Sequence, residues 1–226
     1  MIYDNVHDAV FVSRPNRFIA HVEIGGEIVA AHVKNTGRCR ELLISGARVI
    51  LQKSENPNRK TLYDLISVWK GERLINMDSQ APNKVFLEYL KSGKYIDGIT
   101  HIKPEAKYGN SRFDFYVEAD KRKIFIEVKG VTLEENGVVM FPDAPTERGV
   151  KHLRELMNWV RKGHEAHAVF VIQMSDMRYF MPNNRTHEEF GNALREAKAV
   201  GVKITALDCA VEPDMLEIHK EIEVKL

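Results

Sequence analysis

Residues 111–130 read SRFDFYVEADKRKIFIEVKG, and this stretch decides how the rest of the chain is interpreted. Apolar and polar residues alternate in residues 113–117 and again in residues 124–129, a pattern typical of strands with two different faces. The alternation predicts one shared face for Phe113 and Phe115. The polar segment 118–123 supplies a turn between the two runs. The stretch therefore predicts an antiparallel β-hairpin.

The register of this hairpin brings two acids together. If Val117 pairs with Ile124, Asp114 lies directly opposite Glu127, with Cβ atoms roughly 5 Å apart. Like charges so placed destabilise a sheet unless a cation lies between them, and hard oxygen ligands suit Mg²⁺ or Mn²⁺. Lys129 shares the face of Glu127 because it lies two residues further along the strand. The pattern is an aspartate, twelve intervening residues, and then Glu-x-Lys.

The same register contains a conflict between two cations. It sets Arg112 opposite Lys129, and these side chains would repel each other across the ladder. Either an anion lies between them or a β-bulge turns Arg112 away.

Two opposed carboxylates and a lysine are the groups that phosphodiester hydrolysis requires. A bound divalent cation neutralises phosphoryl oxygens and lowers the pKa of a water, and a nearby cationic side chain stabilises developing charge. We therefore interpret Asp114 and Glu127 as candidate metal ligands and Lys129 as a candidate catalytic residue. The alternative is an exposed hairpin face with ordinary charges.

Composition allows a folded core and gives no signal for a membrane. Hydrophobic residues make up 44% of the 226 residues, and the net charge is only +1. Residues 14–60 nevertheless hold nine Lys or Arg against four acids, which favours polyanion binding by that part. Residues 1–10 lack a signal-peptide pattern, and no apolar run approaches about 18 residues. We expect a cytoplasmic protein without a membrane partner.

Residues 1–80 predict an OB-like β-barrel that is a candidate nucleic-acid-binding domain. Five or six short strands follow one another, with Gly25-Gly26 as a hairpin turn between two apolar runs. OB barrels commonly bind oligonucleotides or oligosaccharides on one face. The alternative for the basic residues here is a solvated polar face. The candidate phosphate contacts of the barrel are Arg14, Arg17, Lys34, Arg38 and Arg40.

Residues 81–226 predict a mixed sheet with helices on its faces, in the order α-β-β-β-α-β-α-β. A helix follows Ala81-Pro82 and carries Glu88, which is either a surface acid or a further carboxylate at the metal site. We expect residues 138–141 to extend the antiparallel hairpin, and the final EIEVKL to form an edge strand. Thr186 and Glu189 have the spacing of a capping box, and the helix EEFGNALREAKAV is predicted to follow, with Gly201 as its stop.

A second helix, beginning near Pro145-Thr146, predicts a basic rim for the site. Arg148, Lys151 and His152 share one helical face at i, i+3 and i+4, where they either grip phosphate or form a solvated basic face. Gln173 ends an apolar strand, where it either faces the metal site or is a buried amide.

These residues resemble known families. Glu88, Asp114 and Glu127-x-Lys129 look like the PD-(D/E)xK nuclease superfamily. Most of the chain resembles the sugar fermentation stimulation protein A family, through HVKNTGRCREL, SRFDF, EVKGVTL, FPDAPTERGVKHLREL and FxxALxxAxxxGV. The resemblance implies an N-terminal OB-like domain joined to a C-terminal PD-(D/E)xK domain, and DNA binding. Carried over, Asp114 and Glu127 are metal ligands, Lys129 is the catalytic lysine and Glu88 is the helical acid.

The sequence thus predicts an α+β, mixed fold and a DNA-binding protein with a divalent-metal-dependent nuclease site. It predicts DNA contacts without strong sequence specificity. One alternative is a DNA-binding regulator whose nuclease fold is vestigial, and another is a barrel that binds RNA or saccharide. The residues leave open whether the protein is a monomer or a homodimer, and how it connects to the sugar metabolism that the family name implies.

Overall fold

The computed structural model describes residues 1–35, 37–109 and 111–226, which form two β-sheets and three helices. The first sheet is N-terminal. It contains β1 (Val6–Asn16), β2 (Ile19–Ile24), β3 (Glu27–Val33), β4 (Arg48–Lys53), β5 (Tyr63–Lys70) and β6 (Arg73–Asn76).

Five of these strands close into a barrel, as the sequence predicts. β1 pairs antiparallel with β2 and β4, β2 with β3, and β4 with β5. The parallel pairing of β3 with β5, at Ala31 opposite Tyr63, completes the ring in the OB-like order. Gly25 and Gly26 both have positive φ, of 60° and 85°, which a two-residue hairpin turn of this kind requires.

The second sheet is mixed and has nine strands in the order β10-β11-β13-β15-β14-β12-β9-β8-β7. Along the chain these are β7 (Ile99–Tyr108), β8 (Ser111–Ala119), β9 (Arg122–Val131), β10 (Leu133–Glu135), β11 (Val138–Phe141), β12 (Glu165–Ile172), β13 (Tyr179–Pro182), β14 (Lys203–Glu212) and β15 (Met215–Val224). β9, β12 and β14 run parallel to one another, and so do β11, β13 and β15. The pairs β7–β8, β8–β9, β10–β11 and β14–β15 are antiparallel.

Three helices cover this sheet. They are α1 (Ala81–Lys91), α2 (Glu147–Arg161) and α3 (Glu188–Val200). α1 lies on one face, where Phe86 contacts Phe115 of β8, while α2 packs on the opposite face against β8, β9 and β12. α2 begins where the sequence predicts, because the Thr146 hydroxyl accepts a hydrogen bond from the backbone N–H of Gly149. None of the described helices is both long and apolar enough to cross a membrane.

Three local predictions are wrong. β11 does not extend the hairpin: β12, buried on both faces, lies beside β9, and β11 pairs with β13 instead. The final residues form part of β15, which lies inside the sheet between β14 and β13. α3 has the predicted residues, but the predicted cap is wrong: His187 is the N-cap, and the hydroxyl of Thr186 accepts a bond from Asn183 instead.

The two sheets share one apolar core. The largest buried cluster joins Val22 and Leu51 of the barrel to Phe170 and Phe180 of the second sheet. Polar contacts add to this joint, since Lys70 donates to the carboxylate of Glu134 at 2.7 Å. The boundary between residues 80 and 81 stays a prediction, because the two parts are packed together.

Candidate active site

The candidate site lies where β8 and β9 separate. The ladder has the predicted register, with Val117 opposite Ile124, and its last described pair is Phe115 and Ile126. Beyond that pair the backbone N–H of Val128 donates to Oδ2 of Asp114 at 2.8 Å. The aspartate side chain thus takes the place of the next ladder bond, and this keeps its carboxylate beside Glu127.

The separation of the strands comes from a change of face in β8. The ring of Phe113 lies 5.1 Å from Phe125 and 5.7 Å from His152, whereas Phe115 packs against Phe86 on the other face. The prediction that Phe113 and Phe115 share one face is therefore wrong. The first residues of β8 pair only with β7, because β9 has already diverged.

This divergence resolves the conflict between the two cations. Arg112 is 54% exposed, and its guanidinium donates to the carboxylate of Glu105 at 3.0 Å. Lys129 turns instead to Glu127, with 2.5 Å between Nζ and Oε1. Each cation therefore has its own acid, and no anion is required between them.

Asp114 is held by two donors. Its Oδ1 accepts from Nδ2 of Asn83 at 2.8 Å, and its Oδ2 accepts from Val128. Burial raises the pKa of Asp114, and the negative charge of Glu127 raises it further, so that these two effects outweigh its hydrogen bonds.

Glu127 is only 4% exposed and is held from one side. Its Oε1 accepts from Lys129 and from Nδ1 of His152, which must carry the proton because an ionised carboxylate only accepts. Burial acts to raise the pKa of Glu127, but His152 and Lys129 outweigh it, and the pKa lies below its usual value. Oε2 is buried and has no hydrogen-bond partner in the part of the chain that the structure describes.

His152 is placed differently from the prediction. It is buried between α2 and the sheet and bonds to Glu127, so it does not reach solvent as a phosphate contact. The physical reason is its position on the inward stripe of α2, which includes Gly149, Leu153, Leu156 and Met157. That stripe is visible in the sequence and is the signal that would have found this role.

Glu88 is also placed away from the site. Its carboxylate accepts from the N-terminal ammonium group of Met1 at 2.7 Å, and its side chain is 58% exposed. The helix explains this, because Glu88 lies more than one turn beyond Asn83, the residue of α1 that contacts Asp114. Asn83 is a member of the site that sequence reasoning missed.

Of the basic residues predicted for the barrel, two bond to other parts of the protein and three are exposed. Arg14 donates to the carbonyl oxygens of Arg17, Asn35, Gly37 and Arg38. Its two terminal nitrogens therefore hold the neighbouring loop, and its Nε is buried, so that none of these groups is available to phosphate, contrary to the prediction.

Lys34 is likewise occupied. Its Nζ lies 2.7 Å from Oδ2 of Asp78 in an ion pair whose carboxylate is fully buried. Arg17, Arg38 and Arg40 are exposed, as DNA contacts need to be.

Two open hollows flank the site. A cleft of about 470 Å³ lies between the barrel loop that includes Arg38 and residues 130–133 and 140–146 of the second sheet. A groove of about 490 Å³ is lined by the exposed Arg148 and by Lys151, on the other side of the start of α2.

Gln173 belongs to the wall of the cleft and has a structural role. Its amide donates to Oδ1 of Asn76 at 2.8 Å and to the carbonyl of Asp78 at 3.0 Å. A Cβ on Gly130 would lie 2.6 Å from Oε1 of Gln173, so only glycine fits directly after Lys129. The buried-amide interpretation of Gln173 is the one that the geometry favours.

Comparison with known proteins places this arrangement in a family. The model "SfsA N-terminal OB domain" matches residues 12–77, and the model "Sugar fermentation stimulation protein RE domain" matches residues 80–215. The chain is 59% identical, over the whole length of both chains, to a sugar fermentation stimulation protein homolog of Ruminiclostridium cellulolyticum. It is 62% identical to a homolog of Desulfitobacterium hafniense strain Y51, covering 100% of this chain and 99% of the relative.

A solved structure has the same architecture throughout. SfsA of Pyrococcus furiosus, determined in complex with Ca²⁺, is 29% identical and superposes with a TM-score of 0.91. The match covers 100% of this chain and 98% of that one. The chain therefore belongs to the sugar fermentation stimulation protein family.

Proposed function

We propose that this protein is a divalent-metal-dependent nuclease that binds DNA and hydrolyses its phosphodiester bonds. The observation that carries the proposal is Oε2 of Glu127, a buried carboxylate oxygen without a hydrogen-bond partner beside a second carboxylate. Leaving such an oxygen unsatisfied costs about 1–3 kcal/mol, so a functional reason for it is expected.

The residues present fit a divalent cation. Asp114 and Glu127 offer hard oxygen ligands. The pKa of Asp114 is raised by burial and, to a lesser extent, by the charge of Glu127, and a cation between the two carboxylates would offset both effects. The Pyrococcus furiosus relative was solved with Ca²⁺, which supports a cation site in the family. We propose Mg²⁺ or Mn²⁺ as the working ion, since both take carboxylate ligands.

Each side chain of the site then has a separate task. A bound cation supplies charge neutralisation at phosphoryl oxygens and a water of lowered pKa. His152 and Lys129 fix Oε1 of Glu127 and leave Oε2 available as a ligand. Asn83 and the N–H of Val128 fix the carboxylate of Asp114. Lys129, whose side chain is 22% exposed, reaches solvent and can donate to charge that develops on the phosphate.

Charge around the site supports DNA as the partner. The exposed Arg38 lines the cleft on the barrel side, and Arg148 and Lys151 line the groove on the α2 side. Cations of this kind contact phosphates, which are the same in every DNA sequence. We therefore propose DNA binding without strong sequence specificity.

The test is cleavage of plasmid and single-stranded DNA with Mg²⁺, Mn²⁺ or EDTA. We expect cleavage with either metal and none with EDTA. Asp114→Asn and Lys129→Met should lower the rate about 100-fold or more, because each removes a group that stabilises the transition state. Glu88→Gln is the matched control and should retain activity, since Glu88 bonds to Met1. Absence of cutting, or cutting that survives both substitutions, would show the nuclease mechanism to be wrong.

A DNA-binding regulator without catalysis is the second candidate. It is favoured by the fact that the site is nearly closed by its own hydrogen bonds: both oxygens of Asp114 have donors, and Lys129 is bonded to Glu127. DNA binding without cleavage in any metal would support this function. Regulation of sugar metabolism, which the family name suggests, would then act through binding alone.

A further inference from the structure

A groove beside the candidate active site has features of an anion-binding site. It lies between the start of β8 and the first turns of α2 and has a volume of about 490 Å³. Its lining contains one acid, Glu147, and four cations, namely Arg112, Arg148, Lys151 and Arg154. Two of these cations also form ion pairs with acids outside the lining, Arg112 with Glu105 and Arg154 with Glu189. We infer that this groove binds a backbone phosphate of the DNA, with Ser111 and Arg148 as its central donors. The inference rests on the proposed DNA-binding function.

Ser111 provides evidence that is independent of the surface charge. This residue lines the groove and is only 8% exposed, and its buried Oγ has no hydrogen-bond partner among residues 1–35, 37–109 and 111–226. A hydroxyl is both a donor and an acceptor, and a buried one is normally paired. A phosphate oxygen in the groove would accept its hydrogen bond and satisfy it.

Arg148 connects the groove to the candidate active site. Its Nε lies 3.4 Å from Nε2 of His152, and His152 bonds to Glu127 through Nδ1. Its terminal nitrogens have no hydrogen-bond partner among the described residues, and so they remain available to a ligand. The planar guanidinium suits phosphate, which it can contact through two parallel N–H groups.

Arg154 is another cation of the groove and, unlike Arg148, it has no hydrogen bond to His152 among the described residues. Its guanidinium donates to Oε1 of Glu189 at 2.7 Å and is 61% exposed. Replacing Arg154 therefore changes the charge of the groove and leaves the contacts of Glu127 in place. It separates a loss of phosphate binding from a disturbance of the active site.

The test is fluorescence anisotropy of a short labelled DNA duplex in EDTA, so that neither cleavage nor metal is needed. Arg148→Gln should weaken binding about fivefold or more and lower the salt slope by about one. Arg154→Gln should act in the same direction, and Ser111→Ala should weaken binding about threefold with the slope unchanged. The matched control is Arg161→Gln, at the far end of α2, where the loss should stay below about twofold.

The result also separates this site from the nuclease proposal. Normal binding by the Ser111, Arg148 and Arg154 variants overturns the phosphate site, even if metal-dependent cleavage that requires Asp114 is present. Loss of binding in these variants with normal Arg161→Gln supports the site, even if no cleavage occurs. Equal losses in all four variants, or no binding by the unaltered protein, overturn it. Unchanged circular dichroism melting curves verify that the variants are folded.

Discussion

Two buried lysine–carboxylate pairs lie in different parts of the molecule. Lys34 pairs with Asp78 at the joint between the barrel and the second sheet, and Lys129 pairs with Glu127 at the end of the hairpin. Around Asp78 both oxygens are used: Oδ1 accepts from the N–H of Gln80, and Oδ2 accepts from Tyr3 and lies beside Lys34. We call this pair closed, because both oxygens of its carboxylate have partners.

The pair at the hairpin is open, which means that one oxygen of its carboxylate has no partner among the described residues. Oε2 of Glu127 has no partner in the structure, and a second carboxylate, Asp114, interacts with it. The same kinds of side chain therefore stabilise the joint between the sheets and, in the hairpin, leave an unsatisfied ligand at some cost in stability. An ion pair therefore indicates a candidate site only when one of its carboxylate oxygens lacks a hydrogen-bond partner.

The largest expected effect is on the closed pair. Lys34→Met should lower the free energy of unfolding by about 3–4 kcal/mol, because it leaves a fully buried carboxylate without its counter-ion. Lys129→Met should cost about 1–2 kcal/mol, because Lys129 and Glu127 are both more exposed to solvent than Lys34 and Asp78, and His152 still donates to Glu127. Urea denaturation in EDTA measures both values. Equal losses would mean that the two pairs do not differ in the way described.

The next effect concerns the support of the open pair. His152→Ala should weaken Mn²⁺ binding about 10- to 100-fold, because Glu127 loses the donor that fixes Oε1. His152→Asn places an amide N–H near the position of Nδ1 and should restore most of the affinity, whereas His152→Gln should not. Calorimetric titration with Mn²⁺ checks this order. The same affinity for Asn and Gln variants would reduce His152 to a packing role.

The smallest expected effect is on the free energy of unfolding when either acid of the site is made neutral, and the two substitutions should change it in opposite directions. At pH 7 without metal, Glu127→Gln should lower the free energy of unfolding by about 1–2 kcal/mol. Asp114→Asn should raise it by about 1 kcal/mol, as substitutions at strained functional sites often do. The pKa of Glu127 is lowered by folding, so its ionised form stabilises the fold, whereas the raised pKa of Asp114 means that its ionised form costs stability.

The dependence on pH follows from these directions. The stabilisation from Glu127 is present above its unfolded pKa and is lost as the pH falls through the lower folded pKa. The cost from Asp114 is present above its raised folded pKa and disappears below the unfolded pKa. As the pH falls, the urea midpoint of Asp114→Asn should approach that of the unaltered protein first, and the approach should be complete below about pH 4, the unfolded pKa of Asp114. The midpoint of Glu127→Gln should approach it only below about pH 4.3, the unfolded pKa of Glu127. Shifts of the same sign at pH 7 would contradict the assignment.

The sequence predicts the part of the site that depends on local pattern. The register with Val117 opposite Ile124, and thus the nearness of Asp114 to Glu127, follows from alternation and a polar turn. The barrel likewise follows from short strands with turn signals. The placement of Phe113 and Phe115 on opposite faces of the sheet could not be predicted. It depends on the first residues of β8, which pair with β7 after the ladder between β8 and β9 has ended.

Long-range partners account for the other errors. Arg14 and Lys34 look like surface cations in the sequence, but their partners are loop carbonyls and an acid that only the folded chain brings near. Asn83 looks like an ordinary residue at a helix start, and only the packing of α1 on the sheet aims it at Asp114. The position of β11 was missed because strand order is decided by which strands bury both faces.

The tight turn of the hairpin, at Asp120 and Lys121, lies at the opposite end from the two carboxylates. Lengthening both arms by equal steps would move the turn outwards and leave Asp114 beside Glu127. A single added residue in one arm would instead reverse every side chain beyond it. The twelve residues between the two acids therefore record the length of a hairpin and not a chemical requirement. Relatives with other even spacings are expected to keep the same site, and a search with one fixed spacing would overlook them.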